Sequence, residues 1–236
     1  MLSVERLDVA IAASEILRAV SLDVGAREIV CLVGRNGAGK TTTLRTIMGY
    51  LRPSAGAIRF KGEPIAGLPT HAIAARGIGY SPEESGIFGD LTVAENIEIS
   101  PWTRASPRPA AERVARAYDV FPRLRGYAGR GGTQLSGGER KMLSVARALA
   151  LDPDLLLLDE PFEGLSPAII PTIAASIAAI TRLGPALLLA ESNIHHVPDS
   201  VSRLYVIERG EIVFAGTLGE AHRDAAVMRI IGGKAS

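Results

Sequence analysis

Eight consecutive residues near the start of the chain combine glycines, a lysine and a threonine at a spacing that suits phosphate binding. They run Gly34-Arg35-Asn36-Gly37-Ala38-Gly39-Lys40-Thr41 and satisfy the pattern G-x-x-x-x-G-K-S/T. In such a loop, backbone N–H groups curl around the β- and γ-phosphates, Lys40 adds positive charge at those oxygens, and the Thr41 hydroxyl is a ligand for Mg²⁺. The candidate nucleotide-binding residues are Gly34, Arg35, Asn36, Gly37, Ala38, Gly39, Lys40, Thr41 and Thr42.

A run of four leucines further along the chain ends in two carboxylates. Leu155 to Leu158 is typical of a buried strand, and Asp159 and Glu160 follow it directly. Asp159 can hold Mg²⁺ through water, and Glu160 can accept a proton from an attacking water. A strand that ends in Asp-Glu is by itself an ordinary strand-to-loop transition. The catalytic interpretation therefore depends on its pairing with the loop at Gly34.

Two adjacent glycines precede a third helical run. In Leu135-Ser136-Gly137-Gly138-Glu139-Arg140, Ser136 and Glu139 have the spacing of a capping box, which would start any helix. Glycines in a first turn disfavour helix formation, and a cap does not require them. They suit a backbone that approaches a ligand closely and offers its N–H groups to an anion.

Short apolar runs alternate with helical stretches, which predicts an α/β fold with a mostly parallel sheet and crossover helices. The predicted buried strands are Glu28 to Val33, Ile78 to Ser81, Leu155 to Leu158, Ala186 to Ala190 and Leu204 to Ile207. Three half-exposed strands form a predicted N-terminal antiparallel β subdomain: Ser3 to Val9, Val20 to Val24 and Gly56 to Gly62. Helical stretches between about Pro82 and Thr133 predict an inserted helical subdomain, and Ala168 to Ile180 is an apolar helix expected to pack on the sheet.

Composition narrows the classes of protein that remain. The 236 residues are 47% apolar and 22% charged, a composition that excludes an intrinsically disordered protein. The formal charge is +1, so the net charge of the whole chain does not attract nucleic acid. The single cysteine, Cys31, lies in an apolar run and is expected to be buried. Seven arginines between Arg104 and Arg130 are interpreted as a solvated helical face, with a nucleic-acid or lipid patch as the alternative. No apolar run reaches membrane-spanning length, so we expect a cytoplasmic protein.

The three motifs, in this order and at these separations, resemble the ATP-binding subunit of an ABC transporter. The resemblance implies a P-loop NTPase core and one nucleotide-binding domain over residues 1–236. Residues 1–82 and 150–236 would form the core with its β subdomain, and residues 83–149 the Q-loop, helical lobe and signature helix. It also implies ATP and Mg²⁺ as cofactors and a head-to-tail dimer with a second copy or a paralogue. There, Ser136, Gly137, Gly138 and Glu139 of one subunit close over the ATP held by Lys40 of the other.

Further segments resemble the subgroup that serves importers of branched-chain and other hydrophobic amino acids. They are Gly77 to Glu83, Leu91 to Asn96, Gly164 to Pro167, Gly67 to Pro69 and Ala190 to Asn193. By this resemblance Glu83 contacts the metal. Transmembrane permease subunits, served by a solute-binding protein, would dock beside the Q-loop at Phe88. The subunit would then lie peripherally on the inner face of the cell membrane.

Three positions depart from the family pattern. Position 83 has Glu rather than Gln, so its metal contact would be a charged one. Ile11 stands where the family commonly stacks an aromatic residue on adenine, and Ser192 stands at the switch position, where the family has His or Gln. His195, one turn beyond Ser192, is a candidate replacement for the switch. Two alternatives therefore stay open: a soluble ABC ATPase without a transport role, and an ATP-binding regulatory subunit that does not hydrolyse ATP.

Overall fold

Ten strands and eight α-helices occur in the computed structural model, which describes residues 1–232. The strands are β1 (Leu2–Ile11), β2 (Ser14–Val24), β3 (Ile29–Val33), β4 (Ala55–Phe60), β5 (Glu63–Pro64), β6 (Ile78–Ser81), β7 (Leu155–Asp159), β8 (Ala186–Glu191), β9 (Arg203–Glu208) and β10 (Glu211–Gly216). The helices are α1 (Lys40–Ile47), α2 (Thr70–Ala75), α3 (Val93–Glu98), α4 (Ala110–Val120), α5 (Gly137–Ala150), α6 (Ile170–Leu183), α7 (Leu218–Arg223) and α8 (Ala225–Ile231). Short 3₁₀ helices cover Ser100–Thr103, Pro122–Tyr127, Gly132–Gln134 and Ile194–His196.

Contacts between residues divide the chain into two compact units. The first unit comprises Met1–Ile73 and the chain from Ala186 onward, and the second comprises Ala74–Pro185. These boundaries differ from the ones at residues 82/83 and 149/150 at which the sequence places the helical insertion. The single nucleotide-binding domain over residues 1–236 stays a prediction.

The first unit contains an antiparallel sheet with the strand order β2-β1-β4-β5. Strand β1 pairs antiparallel with both β2 and β4. Leu2 and Val4 are buried and so, after a register shift, are Leu7 and Val9, as expected of a strand with one solvated face. The predicted N-terminal β subdomain is confirmed. Strand β2 begins six residues before the predicted Val20, because its first residues are mostly exposed and carry little apolar signal.

A second group of strands in the first unit has the order β10-β9-β3-β8. Strand β3 is parallel to β8 and to β9, and all five of its residues are buried, including Cys31 at 0% exposure. The strands predicted over β3, β8 and β9 are confirmed. Strand β10 was not predicted because none of its residues is fully buried; it pairs antiparallel with β9.

The second unit pairs β6 parallel to β7 and contains helices α3 to α6. Helix α5 is buried along most of its length, and Ser144 on it exchanges a 2.8 Å hydrogen bond with Ser81 at the end of β6. The helices α3 and α4 and three of the 3₁₀ turns lie in the segment predicted as an inserted helical lobe. Helix α6 begins at Ile170, two residues after the predicted start, and ends at Gly184 in the left-handed conformation.

Several arginines of the second unit bond other residues of that unit. Arg113 is 3% exposed and donates to carbonyl oxygens, two of which close the last turn of α5. Asp152 accepts from Ser106, Arg108 and Arg116, and Arg104 pairs with Asp154 at 2.6 Å. Burial acts to raise the pKa of Asp152, but the hydrogen bonds and the arginine charges outweigh it and leave the pKa below its ordinary value. The solvated-face interpretation is therefore wrong for Arg113.

Within residues 1–232, no helix combines the length and the apolar character that a membrane crossing requires.

Candidate functional site

The predicted phosphate loop lies between β3 and α1 of the first unit. Gly37 and Gly39 have positive φ angles, +81° and +115°, which side chains rarely adopt. A Cβ on Gly34 would lie 2.3 Å from the carbonyl oxygen of Ile207, so only glycine fits there. The sequence pattern is thus explained by two different demands, backbone conformation at Gly37 and Gly39 and close packing at Gly34.

Lys40 is folded over this loop. Lys40 is 4% exposed, and its Nζ donates to the carbonyl oxygens of Gly34 at 2.7 Å and of Arg35 at 3.2 Å. A buried ammonium needs such partners, because unpaired burial of a charge is costly. Thr41 and Thr42 follow, half-buried, in the first turn of α1. Lys40 and the two threonines therefore lie beside the same loop, as predicted.

Arg35 belongs to the predicted binding residues, but its side chain is directed to the C-terminal helix. Nε donates to the carbonyl oxygen of Ile230 at 2.9 Å, and Nη2 donates to that of Arg229 at 2.8 Å. These carbonyls belong to the end of α8, where backbone acceptors lack partners within the helix. In this conformation Arg35 offers its backbone, rather than its guanidinium, to the phosphate loop.

The two predicted carboxylates lie at the end of β7 in the second unit. Asp159 is 1% exposed and Glu160 is 2% exposed. Tyr80 on the neighbouring strand donates its hydroxyl to Asp159 Oδ2 at 3.0 Å. Glu160 has a φ of +46°, an uncommon conformation for a residue with a side chain, and such conformations occur often at functional sites.

The signature segment forms the capping box that the sequence predicts. Ser136 Oγ accepts from the backbone N–H of Glu139, and Glu139 Oε2 accepts from the N–H of Ser136 at 2.8 Å. The Ser136 N–H bond is the largest of the effects that hold the pKa of Glu139 below its ordinary value. A Cβ on Gly137 would meet no atom within 4 Å, so packing within this chain does not demand glycine there.

Glu83 and Phe88 lie on the loop after β6. Glu83 is exposed, and its carbonyl oxygen accepts from Lys141 Nζ at 2.8 Å. Phe88 is 49% exposed, and the Arg147 guanidinium lies 5.1 Å from its ring centroid. The buried side chain of Asn96 bonds both backbone groups of Phe88 at 2.9 Å. Sequence reasoning missed Asn96, although a polar residue between Val93 and Ile97 on the buried face of α3 was a usable signal.

Two of the positions that depart from the family pattern, Ile11 and Ser192, lie in the first unit. Ile11 ends β1 at the hairpin and is 45% exposed. Ser192 follows β8. The last residue of β8, Glu191, is fully buried, and its backbone carbonyl oxygen accepts from the N–H of Gly34. His196 Nδ1 lies 3.5 Å from Glu191 Oε2, whereas His195 is exposed. His196, rather than the predicted His195, therefore faces the end of β8.

The oxygen donors that the motifs assign to a metal suit Mg²⁺. No cluster of three or more His, Cys, Asp and Glu side chains that could hold a metal ion occurs within the described part of the chain, residues 1–232. Magnesium prefers hard oxygen ligands, and it commonly takes one or two carboxylates together with waters and phosphate oxygens. The buried Asp159 carboxylate and the Thr41 hydroxyl are such donors. By donor type, each of these residues, Asp159 in the second unit and Thr41 in the first, suits a Mg²⁺ ion.

Comparisons with known proteins agree with these motifs. A family model described as ABC transporter matches residues 17–163. The lipopolysaccharide export system ATP-binding protein LptB of Haemophilus influenzae is 36% identical over 238 residues, 98% of this chain and 96% of that protein. The high-affinity branched-chain amino acid transport ATP-binding protein BraG of Pseudomonas aeruginosa is 38% identical over 218 residues, 92% of this chain and 93% of BraG. A nucleotide-free ATP-binding cassette from an ABC transporter superposes with a TM-score of 0.83 at 23% identity and covers 97% of both chains.

Proposed function

The chain belongs to the ABC transporter family as an ATP-binding subunit with ATPase activity, and from that premise we propose that it drives an importer of branched-chain or other hydrophobic amino acids. The observation that carries the ATPase part is the loop Gly34 to Thr41, with Lys40 buried across it. Transmembrane permease subunits would hold the ATPase at the inner face of the membrane.

The proposed mechanism assigns a role to each motif residue. N–H groups of the loop and the Lys40 ammonium bind the β- and γ-phosphates of ATP. Thr41 and Asp159 would hold the Mg²⁺ that arrives with the nucleotide, with Glu83 as a further ligand. Bound Mg²⁺ supplies charge neutralisation at the phosphate oxygens. Glu160 accepts a proton from water as that water attacks the γ-phosphorus in line, and ADP leaves as phosphate is released.

A second ATPase subunit would complete the site. In the capping box, Ser136 and Glu139 satisfy one another, while open space faces Gly137 at the start of the 14-residue helix α5. Backbone N–H groups at a helix start bind anions well. The absence of a side chain at Gly137 therefore suits the approach of an ATP held by another subunit, either a second copy or a paralogue.

The transported solute is the open part of the proposal. BraG acts in branched-chain amino acid transport and LptB in lipopolysaccharide export, at similar identity to this chain. Export of a lipid-linked saccharide is therefore the second candidate function. The test measures uptake of labelled leucine in cells with and without this subunit. Uptake that depends on the subunit supports the importer, and unchanged uptake contradicts it.

Replacement of Lys40 by alanine tests the nucleotide site directly. We expect Lys40→Ala to weaken ATP binding at least about tenfold, since a charge-assisted hydrogen bond contributes about 1.5–3 kcal/mol. Titration of the purified chain with a fluorescent ATP analogue measures this. The matched control, Lys61→Ala, removes an exposed lysine after β4 and should leave the affinity unchanged. Equal affinities in all three proteins would contradict the assignment.

Phe88 is the proposed contact with the permease. Asn96 bonds the backbone of Phe88, and the Arg147 guanidinium lies over its exposed ring, so the residue is ordered before any partner binds. This order reduces the entropy lost on docking. Because aromatic anchors contribute about 2 kcal/mol or more to interfaces, we expect Phe88→Ala to reduce co-purification with the permease and to abolish uptake. ATP binding by the isolated subunit should stay normal.

Trp102 offers a matched control for Phe88. It is 82% exposed in the same unit, on the 3₁₀ helix Ser100–Thr103. Trp102→Ala should leave co-purification and uptake unchanged. If the Phe88 variant behaves like the parent, or if both variants lose the permease equally, the docking surface lies elsewhere.

A further inference from the structure

Asp159 is contacted by two side chains to which the resemblance assigns no role, Tyr80 and Lys141. The first is Tyr80, which lies opposite Leu157 in the parallel register of β6 and β7. Side chains two residues apart on a strand point to the same face, so Asp159 lies on the Tyr80 face of the sheet. The Tyr80 hydroxyl donates to Asp159 Oδ2 at 3.0 Å, and this carboxylate is 1% exposed. The pairing of the two strands thus delivers a donor to a buried carboxylate oxygen.

The second side chain is Lys141, from helix α5. It is 4% exposed, and its Nζ donates to the carbonyl oxygen of Glu83 at 2.8 Å and lies 3.4 Å from that of Asp159. Lys141 is three residues before Ser144, so both lie on the same side of α5, and Ser144 bonds Ser81 of β6. Lys141 thereby joins the loop after β6 to the end of β7.

The contacts act on different parts of the same residue. Tyr80 restrains the side chain of Asp159, and Lys141 restrains its backbone and that of Glu83. Polar partners hold a metal ligand in its binding orientation, so the ligand loses less conformational entropy when the metal binds. Removal of such partners typically lowers metal affinity about 10- to 100-fold. Tyr80 lies in the segment Gly77 to Glu83 and Lys141 directly follows the signature segment, but the motifs assign no role to either side chain.

We propose that Tyr80 and Lys141 are positioning residues which preorganise Asp159, and with it Glu83, for the Mg²⁺ that accompanies ATP. The inference rests on the proposed function, because Asp159 is assigned to the metal there. It predicts that both residues strengthen the binding of MgATP and leave metal-free ATP binding unaffected.

The test compares ATP binding with Mg²⁺ and with EDTA in full-length variants that carry Glu160→Gln, so that ATP hydrolysis is slow during the titration. In this background, Tyr80→Phe removes only a hydroxyl. We expect it to lower the ratio of the two affinities about tenfold, equivalent to ~1.4 kcal/mol of coupling, with the affinity in EDTA unchanged. Lys141→Met should lower the ratio in the same direction, and Lys141→Arg, which keeps the charge and the donors, should restore part of it.

Ser81→Ala is the matched control, because it removes a hydroxyl from the next residue of β6, whose partner is Ser144 on α5. It should lower the melting temperature and leave the affinity ratio unchanged. An unchanged ratio in Tyr80→Phe overturns the inference, and so does an equal loss in Ser81→Ala, which would indicate general loosening. If the Glu160→Gln parent binds ATP with no dependence on Mg²⁺, the proposed metal site fails together with the inference, and this result is distinct from a failure of Tyr80 alone.

Discussion

Glu160→Gln is expected to slow ATP hydrolysis about 10²- to 10⁴-fold, the range typical of a lost general base, while ATP still binds. Glutamine has nearly the same shape as glutamate and cannot take the proton from water. Glu160 is 2% exposed and has a φ of +46°, so the backbone places this side chain in a defined direction directly after β7. Phosphate release in a single turnover measures the loss, and size-exclusion chromatography with ATP should detect an accumulated dimer.

Glu163→Gln is the matched control for this prediction. It makes the same chemical change three residues later, at an exposed carboxylate. The backbone N–H of Glu163 donates to the carbonyl oxygen of Glu160, so both residues belong to the same turn. Hydrolysis by Glu163→Gln should stay within about twofold of the parent, because surface substitutions of this kind have small effects. Unchanged hydrolysis in Glu160→Gln would remove the residue from the catalytic role.

The elements that position the site were predictable where the sequence signal is local. Strands β3 and β7 agree with prediction because each is a continuous apolar run that ends in a glycine or an acid. Strand β10 was missed because its residues are all exposed or half-buried. Likewise, glycine spacing predicted the phosphate loop, since positive φ angles and close packing restrict the residue type at single positions.

The supporting residues were not predictable, because their roles depend on distant partners. Tyr80 and Asp159 are 79 positions apart in sequence, and Lys141 reaches a carbonyl oxygen 58 positions away. The direction of Arg35 depends on α8, nearly two hundred residues later. His195 and His196 are adjacent in sequence, and only the path of the chain after β8 decides that His196 faces Glu191. Local pattern carries no information on such contacts.

Arg113→Leu is expected to have the largest effect on stability. The guanidinium donates to the carbonyl oxygens of Ala150 at 3.0 Å and Leu151 at 2.6 Å, which close α5. It also donates to those of Pro101 and Arg104 at 3.3 and 3.0 Å. Burial lowers the pKa of Arg113, as expected when a cation is moved away from water. Leucine fills much of the volume and provides no donor, so four acceptors lose their partner.

The cost follows from those acceptors. A buried polar group left without a partner costs about 1–3 kcal/mol, and a network of four should lower the free energy of unfolding by about 4 kcal/mol, or the melting temperature by about 10 °C. Thermal and urea unfolding measure both quantities. Arg125→Leu makes the same substitution at a surface pair with Asp119, whose side chains are 57% and 68% exposed, and should cost less than about 1 kcal/mol. If the two variants are equally stable, the arginines of this segment are a solvated face after all, and the contacts of Arg113 do not hold the end of α5.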